Sequence, residues 1–355
     1  VKVFHCDRCG QLVFFENTHC LRCGSALGYV PSRAALVALS PAGNGQWGTG
    51  ASGDLVRLCH NYTVHDVCNW TVAAEDPSPL CISCRLTRVI PDLSRAGARE
   101  AWYRLEVAKR RLVYSLLALR LPLVAKDADP EAGLAFAFLA DPDGAGEPVL
   151  TGHRQGAITI NIAEADDAER ERRRVALREP YRTLLGHVRH ESGHYYWDRL
   201  IRDTEHLPEF RARFGDERQD YGEALARHHA SGPPPDWSHQ YISGYATMHP
   251  WEDWAETWAH YLHVIDMLET AAVCGLSLDP RRPDEPTLQA RPSGSFDAMM
   301  ADWFSLTYVL NNLNRALGLP DGYPFVLSEA TIEKLRFVHA LTSSPPILPA
   351  TTTPS

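Results

Sequence analysis

Through AWYRLEVAKRRLVYSLLALRL the apolar residues Trp102, Leu105, Leu112, Leu116 and Leu119 recur at helical spacing, which predicts a long amphipathic helix ended by Pro122. The segment ADPDGAGEPVLTGHRQG beyond it reads as loop, and AITINIA alternates as a short strand. An acidic and then Arg-rich run, EADDAERERRR, predicts a solvated helix or a helix cap. Two further helices carry the run HVRHESGHYYWDRL and, just after Pro250, WEDWAETWAHYLHVIDML. Between them, residues 203–250 break into short helical pieces and the loop SGPPPDW, and the tail TSSPPILPATTTPS has the composition of a disordered segment. Near the start of the chain, LVFF predicts one short strand.

Composition narrows the class. At 355 residues the chain can bury a sizeable core and form two or three modules, and its 45% hydrophobic content is that of a soluble globular protein. The best candidate for a membrane span, LVYSLLALRLPLVA, is interrupted by Arg120 and Pro122, and the opening VKVFHCDRCG lacks the regions of a signal peptide. A net charge of −9 argues against a general nucleic-acid or anionic-membrane binder. Eight of the nine cysteines lie in the first 84 residues. Their C-x-x-C pairs are of the kind that hold metal in a larger chain, which points to a reducing, cytoplasmic setting.

Cys6, Cys9, Cys20 and Cys23 form two knuckles in CDRCGQLVFFENTHCLRCG, each followed by a glycine, Gly10 or Gly24, that permits the tight turn. Four thiolates at this spacing suit a tetrahedral structural zinc. Cys59, Cys68, Cys81 and Cys84 supply a second, looser set. His60 and His65 lie near it, but four cysteines suffice to close the site, so both histidines are read as surface or supporting groups. Residues 1–95 carry eight Lys/Arg against seven Asp/Glu. Two zinc–tetrathiolate centres of about −2 each leave the region at roughly −3, a poor footprint for phosphate. A protein-docking or scaffolding role for the ribbons is the expectation.

Candidate chemistry centres on His190-Glu191-Ser192-Gly193-His194. Histidines at i and i+4 project from one helical face and can grip one ion, and Glu191, about 100° around the helix, sits where it can take a proton from water. Gly193 is costly inside a helix, by about 1 kcal/mol relative to Ala. A third ligand is needed. Asp198 would have to reach back a full turn, and Trp197 and Leu200 stand where the metzincin pattern requires a glycine and a ligand. Glu252 and Glu256, one turn apart on the second helix among Trp251, Trp254, Trp258 and Tyr261, are better sources, with Asp253 pointing off their face. Carboxylates in so apolar a surround need a cationic partner.

These features resemble known enzymes. In gluzincin-type zinc enzymes the ligand glutamate sits on a later helix and an acid one turn on holds a metal-bound histidine; that likeness implies Glu252 as ligand and Glu256 as its supporting acid, with the swapped assignment still open. HVRHESGHYYWDRL, YATMHPWEDWAETWAHYLH and the ribbon CDRC…CLRC together resemble the bacterial "putative zinc-binding metallopeptidase" family with an appended zinc-ribbon domain, over nearly the whole chain except the tail. The downstream block is also similar to that of anthrax lethal-factor-type proteases, which have a tyrosine seven residues before the ligand glutamate; Tyr245 holds that place relative to Glu252. The resemblance implies zinc-assisted peptide hydrolysis with Glu191 as general base and with Tyr245 or His249 donating to the oxyanion.

The expected fold is therefore α+β. It comprises a zinc ribbon over residues 1–28, a second four-cysteine zinc module over 29–95, a mainly α-helical, zincin-like metallopeptidase domain with a small sheet over 96–343, and a disordered tail over 344–355. Zinc is the expected cofactor, one catalytic ion and two structural. AITINIA is the candidate edge for an extended peptide substrate. His187, near the ligand face, is an alternative supporting group, but it reads first, with His260 and His263, as a packed or surface histidine, and Cys274 reads as an ordinary buried thiol. The alternative function is a non-enzymatic, zinc-stabilised interaction module, against which an intact Glu191 speaks.

Overall fold

A computed structural model describes residues 2–50, 53–142, 146–176, 182–280, 282, 285–289 and 295–343; the tail expected to be disordered lies outside them. Strand β1 (Phe4–His5) pairs antiparallel with β2 (Leu12–Val13), so the predicted LVFF strand shrinks to two residues. Phe14 is exposed, and Phe15 turns inward against Tyr29 and Trp70. Gly10 and Gly24 adopt φ of +73° and +69°, the left-handed turn expected of them.

Beyond the first knuckles lies a sheet that the hydrophobic pattern does not predict. Strands β3 (Ala26–Val30), β4 (Ala35–Gly43), β5 (Gln46–Thr49) and β6 (Leu55–Leu58), the short helix α1 (His60–Thr63) and strand β7 (Thr71–Ala73) build it as five antiparallel strands in sequential order. The sheet curls until Tyr29 on the first strand bridges Trp70 beside the last. Apart from β4, its strands have five residues or fewer, too short to carry much periodicity.

Strand β8 (Thr87–Val89) leads into helix α2 (Ala98–Ala118), which buries Trp102, Leu105, Leu112 and Leu116 as its spacing predicts. Strands β9 (Ala135–Leu139), β10 (Gly152–Arg154) and β11 (Ala157–Asn161) complete a mixed sheet in the order β10-β11-β9-β8. This corrects two expectations. The loop before AITINIA contains a strand, and AITINIA is internal, with β10 forming the edge. The reason is the two-residue turn Gln155-Gly156, with φ of 48° and 81°, which folds the preceding residues back as a hairpin.

Helices α3 (Asp167–Ala176), α4 (Leu184–Leu200), α5 (Leu207–Phe214), α6 (Tyr221–Ser231) and α7 (Pro250–Val273) come next. The small ribbon of β12 (Ser277–Leu278) and β13 (Leu288–Gln289) and helices α8 (Phe296–Ala316) and α9 (Glu329–Ser343) close the described chain. The fold class is α+β, as expected. Side-chain caps set the helix starts: Thr183 accepts from Gly186 N–H at 3.0 Å and Asp220 from Glu223 N–H at 2.8 Å. Cys274, expected to be buried, is exposed, because the last turn of α7 runs beyond the core and Val273 beside it is exposed too. Among the described residues no helix is long and apolar enough to cross a membrane.

Candidate metal centre and cleft

Helices α4 and α7 pack against each other at the centre of the site. Trp254 donates its indole N–H to Gly193 O (2.8 Å), Trp258 donates to Ser192 Oγ (3.1 Å), and the Tyr196 and Trp258 rings stack at 4.8 Å. A Cβ on Gly193 would lie 2.9 Å from Ala255 Cα, so glycine is what allows the two backbones to approach.

That approach brings His190, His194 and Glu252 together, with one potential ligand atom from each within 4.8 Å of the others. His190 Nε2 lies 3.0 Å from Glu252 Oε2, and His194 Nε2 lies 3.5 Å from Glu252 Oε1. Glu256 meets the far side of His190, accepting from Nδ1 at 2.7 Å, and is itself held by Ser243 Oγ at 2.6 Å. With Nδ1–H committed there, Nε2 is the His190 nitrogen that faces Glu252 and would serve an ion.

Charge within this cluster is strongly coupled. Burial opposes charge on His190, but hydrogen bonds and charges from Glu252 and Glu256 hold its pKa well above the usual histidine range. Burial likewise opposes ionisation of Glu252, yet His194 and His190 keep its carboxyl well below the usual range. The carboxylates of buried Glu252 and partly buried Glu256 thus demand positive charge where the imidazoles converge, and a divalent cation meets that demand with a donor set of two nitrogens and an oxygen. This donor set fits zinc.

The site opens into a cleft of about 640 Å³ lined by Glu191, Tyr221, Tyr245, Trp251 and Asp198 from the helices and by residues of edge strand β10. Among the described residues no cation pairs with the Glu191 carboxylate. Tyr245 stands 6.0 Å from the His190 ring, ring centre to ring centre. Burial and the charge of Glu252 push the Tyr245 and Tyr221 phenols upward, so both remain protonated donors.

The remaining candidates find partners outside the metal cluster. His249, considered for the oxyanion, is not among the residues that line the cleft. Its Nδ1 accepts from Trp251 N–H (3.1 Å) as the cap of α7, and its Nε2–H donates to Gln219 O (3.1 Å), so both nitrogens are spent on backbone. Asp198 pairs with Arg202 (2.6 Å), and Asp253 pairs with Lys334 (2.6 Å) on α9, away from the site. His187 faces Glu164 at 3.4 Å rather than the metal cluster. His260 bonds Tyr323 (2.8 Å) and His263 accepts from Arg189 (2.5 Å), both within packed layers.

Sequence reading missed Tyr221, which donates to Glu252 Oε1 at 3.0 Å, and His153 on β10, whose ring stacks 5.9 Å from that of His194. Burial, with the charges of His194, Arg202 and Lys126, pulls His153 down to about 3. The capping pattern Asp220-x-x-Glu223 marks a helix start at Tyr221, but nothing in the sequence links it to a carboxylate 31 positions later.

The cysteines form two further clusters, Cys6, Cys9, Cys20 and Cys23, and Cys59, Cys68, Cys81 and Cys84. Sulfur separations of 3.5 Å (Cys9–Cys20), 3.7 Å (Cys6–Cys23) and 3.8 Å (Cys68–Cys81) exceed any disulfide. They match the edges of a tetrahedron with zinc–sulfur bonds of about 2.3 Å. Backbone N–H groups of Trp70, Cys81 and Cys84 point at the sulfurs of Cys68, Cys59 and Cys81 in the second cluster (3.3–3.4 Å). His60 and His65 stand outside both sets, His65 packing 5.3 Å from Trp102.

Residues 98–341 match the profile of a family described as "Putative zinc-binding metallo-peptidase", and residues 3–95 match that of a zinc-ribbon domain. An uncharacterised protein of Mycobacterium tuberculosis and another of Mycobacterium bovis are each 47% identical over 343 residues, covering 96% of this chain and 95% of theirs. No solved structure matches the chain.

Proposed function

The chain belongs to the "putative zinc-binding metallo-peptidase" family, and from that premise we propose that it is a zinc-dependent peptidase whose ribbons dock a protein partner or substrate. One observation carries the reading: His190, His194 and Glu252 converge in an open cleft beside a Glu191 with no cationic partner among the described residues. A site that served structure alone would have no use for a free carboxylate beside three ligands and an open approach.

His190, His194 and Glu252 would hold the catalytic ion, and the two cysteine sets one structural ion each. Zinc, when bound, polarises the scissile carbonyl and acidifies the attacking water. Glu191 takes the proton from that water and returns it to the leaving amine. Tyr245, a protonated donor lining the same cleft, hydrogen-bonds the oxygen on which negative charge develops. Glu256 keeps His190 in the orientation that presents Nε2. Edge strand β10, in place of AITINIA, offers the backbone groups along which an extended peptide pairs. Leu12, Phe14 and Leu21, exposed on the first ribbon, suit a protein partner better than a polyanion, and the charge balance of the region agrees.

The test is cleavage of a diverse peptide library by the zinc-replete chain, read by mass spectrometry. Glu191→Gln should retain three zinc ions and lose turnover by about 10²–10⁴-fold. Undiminished cleavage by this variant would remove Glu191 from the base role. Absence of cleavage by the parent chain with three zinc ions bound would favour an interaction module.

A further inference from the structure

We propose that Tyr221 is a positioning residue for Glu252 and that His249 is the strut that holds it there; this rests on the assignment of Glu252 as a ligand. Glu252 is 2% exposed, so each of its oxygens needs a partner inside the protein. Oε2 faces His190, whereas Oε1 receives the Tyr221 hydroxyl at 3.0 Å and has His194 only at 3.5 Å. The terminal torsion of a glutamate is soft and roughly two-fold, so the helix alone does not fix which way the carboxylate plane turns. A hydrogen bond from a separate element does fix it.

That separate element is itself fixed with respect to α7. Asp220 caps α6 and makes Tyr221 its first residue. Directly before the cap, Gln219 O receives the His249 Nε2–H, while His249 Nδ1 accepts from Trp251 N–H at the start of α7. One imidazole therefore ties the N-termini of α6 and α7 together. The Tyr221 ring packs between the same partners, 5.3 Å from the His249 ring and 6.4 Å from Trp251. Its hydroxyl is aimed inward at Glu252 although the residue as a whole is 36% exposed. Packing alone needs only a phenyl ring at this position. The hydroxyl is explained by the carboxylate.

The measurement is zinc affinity of the full chain by chelator competition, comparing the parent with Tyr221→Phe, which keeps the ring contacts. Affinity at the third site should weaken about 10-fold or more, the usual effect of losing such a supporting hydrogen bond, while both cysteine sites hold zinc as before. His249→Gln should weaken the same site, through loss of the tie to Gln219. An unchanged third-site affinity in Tyr221→Phe overturns the proposal. If that unchanged affinity came with slower peptide cleavage, the phenol would be acting on substrate instead. A parent chain that bound only two zinc ions would bring down the ligand assignment and this inference together, an outcome distinct from three ions indifferent to Tyr221.

Discussion

Glu164 shows how much one buried side chain organises here. It is 1% exposed in the short turn after β11 and meets Arg173 (2.7 Å), Arg182 (3.2 Å) and His187 (3.4 Å), thereby joining α3 to the entry of α4. Burial works against its charge, but His187, Arg182 and Arg173 outweigh that and bring its pKa from 4.5 to about 2. A carboxyl whose folded pKa lies below its unfolded value stabilises the fold above the unfolded value, and the contribution disappears as pH falls through the folded one. A shift of this size corresponds to about 3 kcal/mol at neutral pH. Denaturant titrations should find Glu164→Gln less stable than the parent at pH 7 by about that amount, and the gap should shrink between pH 4.5 and pH 2. A gap independent of pH would assign Glu164 a packing role only.

Among the helices, the decisive contact is the close approach of α4 and α7 at Gly193. Helix propensity favours Ala over Gly by about 1 kcal/mol, but a Cβ here meets backbone at Ala255 Cα (2.9 Å) as well as Trp258 Cδ1 (3.2 Å). Backbone cannot swing aside as a flexible side chain can. Overpacking of this kind costs about 1–3 kcal/mol. Gly193→Ala should therefore be net destabilising by about 1 kcal/mol and should also weaken third-site zinc binding, because the helices carrying the histidines and Glu252 are forced apart. Thermal melts and chelator competition read the two effects. A variant more stable than the parent would show that α7 can shift without loss.

Across the whole molecule, the second cysteine cluster sits where the ribbon region meets helix α2. Helix α2 places Glu106, Lys109 and Arg110 in the interior, all at most 1% exposed, an excess of one buried positive charge. Lys109 pairs with Glu106 (2.8 Å), while Arg110 donates to Val67 O (2.5 Å), next to Cys68. Burial disfavours the Arg110 cation, but the charges of Cys68, Glu106, Cys84 and Cys81 restore it and raise its pKa. A zinc–tetrathiolate of about −2 is the natural counter-charge for an arginine that has left water. A structural zinc can supply on the order of 10 kcal/mol of folding energy, as much as a whole domain's stability. Cys84→Ser should consequently lower the unfolding temperature of the entire chain in a single calorimetric transition. A separate early transition followed by a parent-like one would show that the two regions fold independently.

How much of this was legible in the sequence depends on the range of each interaction. Local periodicity and spacing determined α2, α4 and α7, the glycine turns of the knuckles, both four-cysteine sets and the His190–His194 face, because helices and metal knuckles are built from residues a few positions apart. The tertiary structure alone decided that β10 rather than AITINIA lies at the sheet edge, that Cys274 is exposed, that His249 caps α7, and that Tyr221 reaches Glu252. The five-stranded sheet belongs with these, since strand pairing joins segments whose own patterns are short and weak. Each of these outcomes depends on which surfaces meet when the chain closes on itself, and a pattern read along the chain records the residues available for contact but not the partners they find.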